Sequence, residues 1–184
     1  GSLSNCLTMQ MVILSKNNFQ HIPSCVFSFK WMSKLNMDYN KLKEVNLKGI
    51  SKRVYNLRFN DNQIRTIHNV PDSVEELFMY NNQLESFPET FLSCGKLNNL
   101  QLQNNKIKSL PKNFGVLKDC LDLLRMEKNP VKSRPEHLLQ LIELRMFRGL
   151  MPKKARENTL MIIKDLRENN IPAELNDSFL KLTS

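Results

Sequence analysis

One arrangement of apolar residues around an asparagine recurs six times along the chain, at spacings of 23, 22, 20, 23 and 24 residues. Apolar side chains stand eight, five and three positions before each asparagine and two positions after it. In the first five units a further one stands five positions after it. Alternate residues of a strand face opposite ways, so the pattern predicts one short strand in each unit. The residues five and three positions before the asparagine then face the core, and those six, four and two positions before it face solvent.

The repeated asparagines are themselves unusual among so many apolar neighbours. They are Asn17, Asn40, Asn62, Asn82, Asn105 and Asn129. A buried amide is costly unless it is hydrogen-bonded. We therefore expect each side chain to bond backbone groups where the chain leaves the strand, so that the stacked asparagines form a structural ladder.

The repeat resembles the leucine-rich-repeat pattern L-x-x-L-x-L-x-x-N-x-L, and the resemblance covers about residues 7–131. It implies an α/β fold class, namely a right-handed leucine-rich-repeat solenoid with a parallel β-sheet on its concave face. We expect residues 3–131 to form about six repeats of the intracellular type, without cysteine caps. The resemblance also implies a protein–protein interaction module that works as a scaffold or adaptor.

The outward strand positions contain two aromatic residues near the middle of the predicted sheet. Phe78 and Tyr80 belong to the fourth strand, with Arg58 one strand to one side and Gln101 one strand to the other. Aromatic residues and arginine often dominate the energetics of interfaces. The predicted partner-binding residues are Tyr39, Arg58, Phe78, Tyr80, Gln101 and Arg125. The alternative is that Phe78 and Tyr80 only pair with neighbours in the sheet.

The two ends of the repeats carry further apolar residues. Met11 and Ile13 occupy outward positions of the first strand, so the N-terminal end either continues into further chain or packs on a partner. Residues 132–184 predict helices at about 135–150 and 153–169, which form a helical C-terminal cap or a docking segment. Residues 135–147 resemble, in position and length, the adaptor-binding box of leucine-rich-repeat substrate receptors in cullin ubiquitin ligases. The cysteine usual in that box is absent.

The charge pattern affects the choice of partner. The chain carries a net charge of +9 without a block of Lys or Arg. We interpret this as a soluble surface with a positive bias, and the alternative is a preference for acidic partners. A nucleic-acid partner is not expected, because basic and acidic residues alternate on the predicted sheet. No apolar run is long enough to span a membrane.

No pattern for catalysis or for a cofactor is present. The chain has 3 His residues, which fall in different units, and its 4 Cys residues follow no cap or metal spacing. We expect no metal, no cofactor and no enzyme activity. Reduced cysteines favour an intracellular protein, cytoplasmic or nuclear, or one delivered into a host cytosol.

A bacterial origin is an alternative that rests on one segment. Residues 70–77, VPDSVEEL, resemble segments of bacterial leucine-rich-repeat proteins with 20-residue units, whereas the other units resemble the 23-residue type. The alternative functions are therefore a substrate-recognition subunit of a ubiquitin ligase and a secreted bacterial effector acting in a host cytosol.

Overall fold

The computed structural model describes residues 8–131, apart from the side chains of residues 118 and 119. The expected C-terminal helices and residues 3–7 of the repeat domain lie outside this range. We number the repeat units one to six by their asparagines, from Asn17 to Asn129.

Six short parallel strands, one from each unit, form the main sheet. They are β1 Met11–Ile13, β2 Lys34–Asn36, β4 Asn56–Arg58, β6 Glu76–Phe78, β7 Asn99–Gln101 and β8 Leu123–Arg125, in that order across the sheet. Adjacent strands pair without slippage, so that Leu35, Leu57 and Leu77 lie side by side. Equivalent positions of successive units are therefore neighbours in space.

The opposite side of the units mixes strands with short helices. A second parallel sheet consists of β3 Glu44–Asn46 and β5 Thr66–His68. The 3₁₀ helices comprise Ser24–Ser28, Glu89–Ser93 and Phe114–Asp119. Pro88 occupies the repeat position that His68 holds in unit three. Because proline has no N–H to donate, unit four cannot continue the second sheet.

The apolar positions of the repeat form one continuous core. In units two to five, all five apolar positions are buried, as with Leu57 and Ile67 in unit three. Unit one is less covered, since Met9, Leu14 and Phe19 are only partly buried. Burying one such side chain stabilises a fold by about 1.5–3 kcal/mol, so the central units carry most of the hydrophobic stabilisation.

The residue before each repeated asparagine adopts a left-handed backbone conformation. These residues are Lys16, Tyr39, Asp61, Asn81, Asn104 and Lys128, with φ between 53° and 59°. The conformation turns the chain out of the strand in every unit. It costs roughly 1 kcal/mol for most residues and less for Asn or Asp, which three of the six positions carry.

Candidate functional site: the outer face of the six-stranded sheet

The outward side chains of the main sheet form three rows, which we call the sheet face. The first row is Met11, Lys34, Asn56, Glu76, Asn99 and Leu123; the middle row is Ile13, Asn36, Arg58, Phe78, Gln101 and Arg125; the last row is Ser15, Asp38, Asn60, Tyr80, Gln103 and Glu127. The pairing register places Arg58, Phe78, Gln101 and Arg125 side by side on four consecutive strands. Four of the six predicted partner-binding residues therefore lie in one row.

Arg58 and Phe78 are in direct contact at the middle of this row. The guanidinium carbon of Arg58 lies 4.9 Å from the centroid of the Phe78 ring. This distance allows a cation–π attraction of about 0.5–1 kcal/mol at an exposed site. Phe78 is half-buried, so part of the ring remains open to a partner.

Two side chains of the last row are buried, so the prediction that these positions face solvent is wrong. Asp38 is only 4% exposed and Asn60 is 0% exposed. Both side chains bond the backbone of the next unit, since Asp38 Oδ1 accepts from the Asn60 N–H at 2.7 Å and Asn60 Oδ1 accepts from the Tyr80 N–H at 3.1 Å. The strand ends before this row and the chain turns immediately after it, so these side chains join neighbouring turns.

Tyr80 ends this chain of last-row hydrogen bonds and is half-buried. Burial raises the pKa of its phenol above the ordinary 10.0, and the negative charges of Asp61 and Asp38 raise it further. The hydroxyl is therefore neutral near pH 7 and can donate a hydrogen bond to an acceptor of a partner.

The first row adds polar groups beside these aromatic residues. The Asn56 amide donates a hydrogen bond to the Glu76 carboxylate on the next strand. The Gln101 amide lies within hydrogen-bond distance of the Asn99 side-chain oxygen, at 3.3 Å. Polar groups that retain some exposure can exchange such bonds for bonds to a partner.

The other predicted partner-binding residues stand apart from Arg58 and Phe78. Tyr39 lies in the turn after β2 and is 51% exposed. Arg125 lies at the C-terminal edge of the described sheet, with Nε 4.0 Å from a carboxylate oxygen of Glu127. Tyr39 and Arg125 therefore flank the central pair.

The repeated asparagines make the same set of hydrogen bonds in units two to six. Asn62 Oδ1 accepts from the Leu42 N–H at 3.0 Å, and its Nδ2 donates to the Met37 and Phe59 carbonyls. Equivalent bonds are made by Asn40, Asn82, Asn105 and Asn129. Asn17 is exposed and bonds only carbonyls of its own unit. The side chains hold each unit to the preceding one.

The described residues contain no group of three or more His, Cys, Asp or Glu side chains that could hold a metal ion. Within the same range, no helix is long and apolar enough to cross a membrane.

Neither models of known protein families nor curated protein sequences match this chain. Among solved structures, it is similar to the BIR2 ectodomain from Arabidopsis thaliana, with 20% identity and a TM-score of 0.45 over 62% of this chain and 64% of that one. It is also similar to a leucine-rich-repeat protein from Leptospira interrogans, with 18% identity and a TM-score of 0.37 over 75% of this chain and 53% of that one. The chain thus spans less than two thirds of either structure.

The repeated unit, the parallel sheet with one strand per unit and the asparagine hydrogen bonds define a leucine-rich-repeat solenoid. The fold expected from the repeat pattern is confirmed. Solenoids of this kind present an extended surface for binding.

Proposed function

We propose that this protein is a protein–protein interaction module, a scaffold or adaptor that binds a partner on its concave sheet face around Arg58, Phe78 and Tyr80. The observation that carries the proposal is the row in which Arg58 stacks on Phe78 between polar neighbours. Arginine and aromatic residues near the centre of a surface, surrounded by polar groups, are the usual composition of an energetic hot spot.

The contacts of Arg58 support this proposal, because they fix the side chain before a partner arrives. Its Nε donates to Asp38 Oδ2 at 2.9 Å, and its guanidinium lies on the Phe78 ring. A side chain that is already held loses less conformational entropy on binding. Its side chain is still 39% exposed, which leaves donors for a partner carboxylate or carbonyl.

Gln101 and Tyr80 would then supply adaptable hydrogen bonds beside this pair. Tyr39 and Arg125 would widen the interface on either side. The binding mode uses surface complementarity alone, and we propose no catalytic role for any of these residues.

The test is affinity capture from cell extract with the full chain and with a Phe78→Ala/Tyr80→Ala variant. A matched control is Lys112→Ala/Val116→Ala, which truncates two exposed side chains in and beside a 3₁₀ helix. We expect the sheet-face variant to lose a partner that wild type and control retain. Circular dichroism must show that all three proteins are folded. If the sheet-face variant keeps every partner that wild type captures, the proposal is wrong.

A chain that ends at Val131 tests the second candidate, a substrate-recognition subunit of a ubiquitin ligase. That function depends on residues 132–184, which would recruit the ligase. Loss of a helical adaptor on truncation, with the partner retained by Phe78→Ala/Tyr80→Ala, would favour it. The secreted bacterial effector rests on the 20-residue spacing between Asn62 and Asn82.

We further propose that the protein works inside a cell. Cys25 and Cys94 are free thiols. Free thiols persist in a reducing compartment. Mass spectrometry of alkylated protein from its native source would test this, since a disulfide at either of these residues would contradict it.

A further inference from the structure

A cluster of basic and aromatic side chains lies at the border of the sheet face, where strands β2 and β4 begin, and it includes Lys34 of the first row. We call it the basic edge, and it consists of Lys30, Trp31, Lys34, Lys52, Arg53 and Tyr55. Lys30 and Lys52 hold the same repeat position in units two and three, and so do Trp31 and Arg53. Stacking of the units therefore brings together residues that are 22 positions apart in the sequence.

Two cation–π contacts join the units across this cluster. The Arg53 guanidinium carbon lies 4.1 Å from the centroid of the Trp31 ring, and Lys34 Nζ lies 5.4 Å from that of Tyr55. The Ser51 hydroxyl donates to the Lys30 carbonyl at 2.9 Å, which fixes one turn against the other. The two contacts hold the Arg53 guanidinium against unit two and the Lys34 ammonium against unit three.

The charge of the basic edge is not neutralised within the part of the chain that the structure describes. Lys30, Lys34, Lys52 and Arg53 form no ion pair there. Trp31 is 48% exposed, which is unusual for so large an apolar side chain. Unpaired cations around an exposed aromatic ring favour an anionic partner with some apolar surface.

The next unit limits what kind of anion fits. Asp72 in unit four holds the repeat position of Lys30 and Lys52, and Glu75 holds that of Tyr55. The Glu75 N–H donates to the Tyr55 carbonyl at 2.9 Å, so this acidic unit directly adjoins the basic edge. Neighbouring strands lie about 4.8 Å apart. A long polyanion that runs along the sheet edge would therefore lie against these carboxylates, and be repelled by them, as soon as it passed from unit three to unit four. A short anionic segment confined to units two and three would not.

We propose that the basic edge binds a short segment of a partner protein that is rich in Asp and Glu. Its carboxylates pair with Lys30, Lys34, Lys52 and Arg53, and an apolar part of the segment covers Trp31. This surface is separate from the hot spot around Phe78, and the two proposals can fail independently.

The chain's single tryptophan lies within the proposed site, so Trp31 emission reports binding directly. The probe is a labelled peptide of alternating glutamate and glycine around one central leucine, and its matched control has glutamine in place of glutamate. Binding to the full chain is followed by peptide anisotropy and by Trp31 fluorescence. We expect the glutamate peptide to bind and to change Trp31 emission, and the glutamine peptide to do neither. Absence of binding, or binding without a change in Trp31 emission, overturns the proposal.

Two double variants with the same loss of charge separate a specific site from net charge. We expect Lys52→Ala/Arg53→Ala to weaken glutamate-peptide binding about tenfold, and Lys41→Ala/Lys43→Ala, in unit two after its asparagine, to change it less than about twofold. Equal losses in both variants overturn the proposal. Single-stranded DNA and phosphatidylserine vesicles are the competing ligands, and tighter binding of either one than of the peptide also overturns it.

Discussion

The carboxylate of Asp38 holds the side chain of Arg58 on the neighbouring strand, with Nε and Oδ2 2.9 Å apart. The other carboxylate oxygen accepts the Asn60 N–H at 2.7 Å. One buried side chain thus fixes both the central cation of the sheet face and the turn that follows β4. The candidate binding surface and the stability of unit three depend on the same residue.

Replacing Asp38 with alanine should lower the free energy of unfolding by about 2 kcal/mol. The main cost is the Asn60 N–H, which would lose its acceptor in a buried place. The ion pair with Arg58 contributes less, because the Arg58 side chain is 39% exposed. Urea denaturation measures the change. Glu85→Ala is the control, since its pair with Lys108 is exposed and its removal should cost under about 0.5 kcal/mol. Equal losses in the two variants would contradict this account.

The ladder asparagines allow a comparison within one series of equivalent positions. Asn62→Ala should destabilise the fold by about 3 kcal/mol, because it orphans the buried Leu42 N–H and removes bonds to the Met37 and Phe59 carbonyls. Asn17→Ala should cost less than about 1 kcal/mol, because Asn17 is exposed and bonds only the carbonyls of its own unit. Chemical denaturation of both variants tests the difference, and similar costs would mean that bonds between units add little.

The sequence predicted the core because burial in a solenoid depends on position within the unit. Leu57 and Ile67 follow from the spacing alone, and both are buried. The side-by-side placement of Arg58 and Phe78 follows equally from their shared position in successive units. Covered side chains such as Asp38 could not be predicted, since their burial depends on which side chain stands at the next unit's turn.

Two other features, the end of the second sheet and the contact of Arg53 with Trp31, can be predicted only when the same position is compared in successive units. The second sheet stops at unit four because Pro88 replaces a residue with an N–H, and this signal was present in the sequence. Arg53 and Trp31 hold the same position in successive units, and this shared position likewise indicates their contact. Neither feature follows from the residues around a single strand.

Tyr39 should destabilise the turn in which it lies. Its φ is 57°, whereas the equivalent positions of units three to five carry Asp61, Asn81 and Asn104, which tolerate this conformation better. We expect Tyr39→Asn to raise the free energy of unfolding by about 0.5–1 kcal/mol. Lys43→Asn, at an exposed position without a positive φ, should bring no gain. Thermal denaturation checks both, and a destabilised Tyr39→Asn variant would show that the ring makes contacts outweighing the strain.

Cys94 should be unreactive in the folded protein. Burial raises the pKa of its thiol to about 12, with Asp72 and Cys120 adding to the effect. At pH 8 only about one molecule in ten thousand then carries the thiolate that attacks disulfide reagents. Titration with a disulfide reagent should find the same number of native reactive thiols in wild type and in Cys94→Ser. In guanidinium the variant should show one thiol fewer. A lower count in the native variant would contradict burial of this sulfur.

The phenol of Tyr80 should titrate above pH 10. Burial is the largest cause of its raised pKa, followed by the negative charge of Asp61. A raised folded-state pKa means that the folded protein holds the proton after the unfolded chain has released it. The resulting contribution to stability is therefore complete below about pH 10 and is lost as the pH rises from there through the folded-state pKa.

Absorbance of the phenolate, taken as the difference between wild type and Tyr80→Phe, gives the midpoint directly. Asp61→Asn should lower that midpoint without restoring the ordinary value, because burial remains. A wild-type midpoint at or below 10 would show that the Tyr80 hydroxyl is freely solvated, and its proposed role as a partly covered hydrogen-bond donor would have to be abandoned.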